Sequence, residues 1–181
     1  MKKIPVLFGL ILILCGLFQA CEVENCPPNA LSYAHFTLVD QHGRQIATTV
    51  PTSIYGSIKK DIVIQEVQPD GSVIEKTVYD SIIVDTLINK EKNMKSFKVP
   101  LSYTDETQFT IDYNGKQKDY ITVKHRNIPY FLNIDCGTMM FHEVTEVSAS
   151  QGIDSIIIIN PNIDNYEKEN FKIYFTVTDN Q

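Results

Sequence analysis

The chain has 181 residues, of which 43% are hydrophobic, 10% aromatic and 21% charged, with eight Gly, eight Pro and no Trp. That is one globular domain's worth of material, too apolar for a disordered chain and too poor in Gly and Pro for a fibrous one. The formal charge of −6, from 16 basic and 22 acidic residues, argues against nucleic acid as a partner, because binding a polyanion needs a clustered positive face.

Residues 1–20 read as an address. Lys2 and Lys3 precede an apolar run over residues 4–18, which breaks at Gln19-Ala20-Cys21: a charged n-region, an apolar h-region and a small-residue cleavage site. A membrane-spanning anchor helix is the competing reading, but it needs about 20 apolar residues and this run stops short. Leu17-Phe18-Gln19-Ala20-Cys21 resembles the lipobox of bacterial lipoproteins, departing from it in Phe18 and the bulky Gln19. That resemblance implies cleavage before Cys21 and acylation of its thiol (palmitate among the chains), and two or more chains on one residue anchor stably. Loss of Lys2 and Lys3 takes the formal charge to −8.

Residues 21–30 form the expected tether, extended at Cys26-Pro27-Pro28. Of four cysteines, Cys15 leaves with the signal and Cys21 carries lipid, so Cys26 and Cys136 remain. An even remainder in an oxidising compartment suggests a disulfide, nominally worth about 4 to 5 kcal/mol for a loop of this length. Two free buried thiols are the alternative, and Cys136 as a nucleophile with His142 as its base is a third.

Residues 31–181 read as a single all-β domain, an antiparallel β-sandwich, immunoglobulin-like or similar, with little or no helix. β-Branched and aromatic residues come in short runs between turn signals, without a sustained period of 3.6. In chain order the expected strands are 33–39, 45–49, 61–67, 73–79, 82–87, 96–101, 108–113, 118–125, 130–135, 139–147, 154–160 and 170–178, with some set to merge. His42-Gly43 and Pro69-Asp70-Gly71 are hairpin turns. Phe109, Ile111 and Tyr113 share one face and Asn114-Gly115 follows. A two-residue turn there puts Ile121 and Val123 on the polar face, so a three-residue loop is expected, with Tyr113 opposite Gln117 and Phe109 opposite Ile121. Residues 156–159 are apolar on both faces and suggest a central, covered strand. Phe171, Ile173, Phe175 and Val177 alternate with polar residues on a half-buried last strand. The one expected helical turn lies around residues 166–170.

Residues 129–137 (PYFLNIDCG), Ile153-Asp154-Ser155-Ile156, Asn160-Pro161-Asn162 and residues 169–175 (ENFKIYF), with Asn25-Cys26-Pro27, resemble a family of uncharacterised Bacteroidota envelope lipoproteins described only as a domain of unknown function. The resemblance implies a short β-rich envelope lipoprotein with a Cys26 to Cys136 pair and brings no activity with it. In that group, acids just after the lipidated Cys, here Glu22 and Glu24, accompany display at the cell surface.

The sequence carries no Gly-rich phosphate loop, Gly-x-Ser-x-Gly elbow, His-Glu-x-x-His or Cys-x-x-Cys. His35, His42, His125 and His142 are isolated along the chain, so a zinc site would need the fold to assemble it. Residues 160–169 concentrate oxygen ligands of the kind hard cations take; Asp164, Glu167 and Glu169 are the Ca²⁺ candidates, against solvated turn chemistry. Nine tyrosines are candidates for a glycan or protein contact, or for rim packing. Asp80-Ser81-Ile82, Asp85-Thr86-Leu87 and Asp154-Ser155-Ile156 resemble the short O-glycosylation sequon of exported Bacteroidota proteins.

The expectation is therefore a lipoprotein of the cell envelope, on the periplasmic face or the surface of the outer membrane. It meets the membrane through Cys21 and an envelope protein or glycan elsewhere, and works without enzymatic chemistry or cofactor as an interaction or assembly module. A lipoprotein binding a glycan, small molecule or Ca²⁺ is the alternative, and a hydrolase the third.

Overall fold

A computed structural model describes Cys26, residues 31–150 and residues 152–177, and for residues 59, 60 and 79–81 the backbone only. Cys15, Cys21, the signal and the tether acids Glu22 and Glu24 lie outside the described residues, so their expected roles are carried by sequence alone.

The alternating runs fold into ten strands, β1 (Tyr33–Asp40), β2 (Thr52–Val67), β3 (Val73–Glu91), β4 (Ser96–Pro100), β5 (Glu106–Tyr113), β6 (Gln117–Asn133), β7 (Gly137–Ala149), β8 (Ser155–Ile158), β9 (Asn162–Ile163) and β10 (Phe171–Phe175). They form a four-stranded sheet in the order β4-β1-β10-β8 and a six-stranded sheet in the order β3-β2-β5-β6-β7-β9, an all-β sandwich. Neighbouring strands are antiparallel except β1 and β10, which run parallel with Phe36 opposite Phe171. No helix occurs among the described residues. Residues 166–170, expected to form a helical turn, are turn and coil, and Glu167 adopts a φ of 51°.

The two sheets meet over one apolar core. Phe36 of β1 stacks on Phe97 of β4 and Phe171 of β10, at centroid separations of 4.8 and 4.4 Å, and meets Phe109 of β5 edge-on at 5.9 Å. This one ring therefore ties both sheets together. Ile54, Ile121, Val123 and Ile173 are buried around it. Burying a side chain of that size contributes about 1.5 to 3 kcal/mol.

The β5–β6 hairpin has the register that the side-chain pattern demands. Tyr113 lies opposite Gln117 and Phe109 opposite Ile121, joined by a three-residue loop in which Asn114 and Gly115 take φ values of 59° and 74°. Several expected strands merge. β3 runs through Asp80-Ser81, and β6 through Pro129, which is compatible with a strand because β6 has no β5 partner beyond Lys124. Residues 52–60, not expected as strand, open β2; Gly56 sits at a register shift against β3, which hid the alternation.

Two further expectations fail. Residues 45–49 are not a strand: Gln45 makes one bridge to Val39 and the rest is irregular. Residues 156–159 are not a central, covered strand either. β8 is the edge of its sheet, with Ile157 and Ile159 41% and 46% exposed. The covered position goes to β10, bonded on both sides.

Candidate functional site

The six-stranded sheet gives the molecule two unlike ends. β5 stops at Glu106, opposite Lys124 of β6, while β2 and β6 run on in the same direction, antiparallel to β5. Two ribbons, β2–β3 and β6–β7, thus leave the sandwich at the same end. In the first, residues 63–67 and 71–77 are exposed throughout, including Val63, Val67 and Val73. Among the described residues no second sheet covers either face. Its outer strand β3 is also a sheet edge, a template for pairing with another chain. In the second ribbon, Tyr130, Phe131 and Ile134 stand exposed around the turn, Ile134 at 91%.

That turn also holds the disulfide. Cys26 and Cys136 are bridged, with Cα atoms 5.2 Å apart across 110 residues of sequence. The Cys136 N–H donates to Asn133 Oδ1 at 2.7 Å, and Gly137 follows with a φ of 74°. Both free thiols and a Cys136 nucleophile are overturned, because the bridge consumes the sulfur.

At the root of the β6–β7 ribbon the hairpin brings together His125 and His142, one from each strand. His125 and His142 are buried, ring centroids 4.9 Å apart and edge to face. Asn127 organises them. Its Nδ2 donates to the carbonyls of Tyr103 and Thr104 at 2.7 and 2.8 Å, which turns Oδ1 toward the rings. That oxygen only accepts, so His142 Nδ1 at 2.7 Å and His125 Nδ1 at 3.1 Å each carry a proton. His125 Nε2 is then bare and accepts from the Thr107 hydroxyl at 2.8 Å. In turn Thr107 Oγ1 accepts the Ser102 N–H at 2.8 Å. Burial, then the neighbouring His125, pushes the His142 pKa down to about 4. Burial lowers His125 as well, against opposing pulls from Asn127 and Asp105. The pair is a neutral polar cap on the core, held by hydrogen bonds, and His142 does not serve Cys136.

The acidic segment is dispersed. Asp164 Oδ1 accepts the Tyr166 N–H at 2.9 Å. Glu167 pairs with Lys98 at 2.6 Å, and that bond holds its carboxyl below the usual range. Glu169 faces Lys172 at 3.9 Å. Among the described residues no three His, Cys, Asp or Glu side chains group as metal ligands. His35 lies on β1 of the four-stranded sheet and His42 in the turn after it, whereas the histidine pair lies on β6 and β7 of the six-stranded sheet. Thr86 and Ser155 of the sequon-like triplets are exposed; the Ser81 side chain lies outside the described set.

At the end opposite the ribbons, a cavity of about 430 Å³ opens between the sheets, walled by Leu38, Ile46, Val50, Tyr113, Phe175 and Val177 among others. The irregular segment after β1 forms one side of it. Sequence reasoning missed both this cavity and the exposed ribbons. A signal existed for the ribbons in Ile62-Val63-Ile64 and Tyr130-Phe131, apolar on both faces where no cover follows.

A family of unknown function, DUF6452, matches residues 75–175. The chain belongs to this family. The DUF6452 match runs from within β3 to the end of β10, so it includes the whole β6–β7 ribbon with Cys136, the histidine pair and β8 to β10. None of the curated proteins and none of the solved structures matches the chain.

Proposed function

We propose that the chain is an exported lipoprotein, acylated at Cys21, held at the outer membrane on its periplasmic face or at the cell surface, and acting there as a non-enzymatic interaction or assembly module. The observation that carries this reading is the Cys26–Cys136 disulfide. Such bridges persist in oxidising compartments, and this one fastens the segment five residues beyond Cys21 to the folded body. The groups that could have done chemistry have other work: Cys136 is bridged, and His125 and His142 are neutral members of a hydrogen-bonded network. The open edge of β3, with Val63, Val67 and Val73 beside it, suits a partner protein that adds a strand.

The test is Cys21→Ala. The variant is expected to keep its signal and leave the acylated membrane fraction; a membrane-bound variant at the processed mass of the wild type overturns the anchor. Crosslinking in intact cells from Val67 is expected to capture a neighbour at the β2–β3 ribbon.

The apolar cavity favours a second reading, in which the lipoprotein presents a small apolar ligand. Its wall suits that better than a glycan or Ca²⁺. Uptake of an apolar dye that is lost in the cavity-filling variant Ala47→Leu supports it, and uptake unchanged by that variant overturns it.

A further inference from the structure

We infer that the tip of the β6–β7 ribbon enters the membrane interface beside the lipid anchor, with Phe131 and Ile134 as its apolar contacts and Tyr130 at headgroup depth. Insertion rests on the acylation of Cys21 proposed above. Cys26 lies five positions after Cys21, a reach of at most about 18 Å for a fully extended chain. Because Cys26 is bridged to Cys136 with Cα atoms 5.2 Å apart, the turn of this ribbon is leashed to within about 23 Å of the acylated residue. What the leash brings to the membrane is apolar: Ile134 is 91% exposed and Phe131 62%. Tyr130 stacks on Phe141 with centroids 5.0 Å apart. An aromatic ring with a polar edge and large aliphatic neighbours is the composition that settles at a membrane–water boundary.

The turn from Asn133 to Gly137 carries one charged side chain, Asp135, so entry into the interface has a single carboxylate to keep hydrated. Geometry gives the ribbon its length. β6 outruns β5 over residues 125–133, roughly 30 Å at strand rise. A tip in the interface therefore leaves the sandwich clear of the headgroups, its cavity turned away from the bilayer. The ribbon is a stalk as well as an anchor.

The chain contains no Trp, so Phe131→Trp and Ile134→Trp each create a single reporter at an exposed tip site, and Val177→Trp creates one at the opposite end. The full-length proteins are recovered from membranes and reconstituted into phosphatidylcholine vesicles with and without brominated acyl chains. Brominated chains are expected to quench the two tip reporters about twofold or more and to leave Val177→Trp unchanged. On acylated, vesicle-bound protein, unquenched tip reporters overturn insertion, and equal quenching at all three positions overturns the end-on placement. The mass of the N-terminal peptide from the same samples separates the two failures. A Cys21 peptide without acyl chains overturns the anchor and insertion with it, whereas absent quenching on acylated protein overturns insertion alone.

Discussion

Asn170 shows how much one polar side chain can hold. It is buried, its Oδ1 accepts the His35 N–H at 3.0 Å, and its Nδ2 donates to the carbonyls of Asn160 and Asn162 at 3.1 and 2.9 Å. Asn170→Leu leaves those three backbone groups without their partner, so the urea midpoint is expected to drop by the equivalent of about 2 to 4 kcal/mol. A midpoint within error of wild type would deny the bonds their weight. Gly152 is required for a different reason. A β-carbon there meets the buried Asp119 carboxylate, its Cγ at 2.6 Å, while Asp119 Oδ1 already accepts the Ser150 hydroxyl at 2.7 Å. Gly152→Ala is expected to cost about 1 to 3 kcal/mol, and less in an Asp119→Ala background, where the obstruction is gone. At Gly115, with a φ of 74° and nothing within 4 Å of its β-carbon position, alanine meets backbone strain alone, about 1 kcal/mol.

The histidine pair makes stability depend on pH in a calculable direction. His142 has a folded pKa lowered from 6.5 to about 4, so the folded state resists a proton that the unfolded chain accepts. Its contribution is intact above about pH 6.5, declines as pH falls through the window between 6.5 and 4, and is gone below it, a loss on the order of 3 kcal/mol. His125, also lowered by burial, adds in the same sense. Urea unfolding at pH 7 and pH 4.5 should show the loss, with a smaller difference in His142→Gln. Equal differences in the two proteins would place the pH dependence on carboxylates instead.

At the scale of elements, what could be read from sequence depended on whether the apolar residues of a strand keep to one face. In β5 they do: Phe109 and Ile111 lie in the apolar core, while Gln108 and Thr110, also buried, make a polar face with Ser57, so a slip by one residue would exchange the two faces, and Ile121 opposite Phe109 fixes the loop length. The ribbons lack that division. In β3 the polar pair Asp80-Ser81 reads as a break, but the ladder to β2 runs through it, with Asp80 opposite Lys60 and Ser81 opposite Lys59, and the strand continues. β8 fails the other way. Four consecutive isoleucines suggest cover on both faces, yet β10 and β1 take the centre of the sheet through a parallel pairing between distant parts of the chain, which no local pattern announces.

For the whole molecule, the bridge between Cys26 and Cys136 is the longest-range covalent constraint, closing 110 residues. Reducing it is expected to lower the unfolding free energy by about 4 to 5 kcal/mol on the chain-entropy account, read as a shift in urea midpoint with and without reductant. No shift would mean that the tip and Cys26 are held together by packing alone.

By itself the sequence determined the strand-forming character of the chain, the apolar and polar faces of β5 and the three-residue β5–β6 loop. All of these rest on side-chain period and local turn chemistry, which act over a few residues. Only the tertiary structure decided that Asn127 would join His125 to His142, that Asp164, Glu167 and Glu169 would each turn to a separate partner, and that two ribbons would leave one end of the sandwich while an apolar cavity opened at the other. Those outcomes depend on which strands become neighbours, a choice made by packing one core around Phe36 from residues scattered over the whole chain.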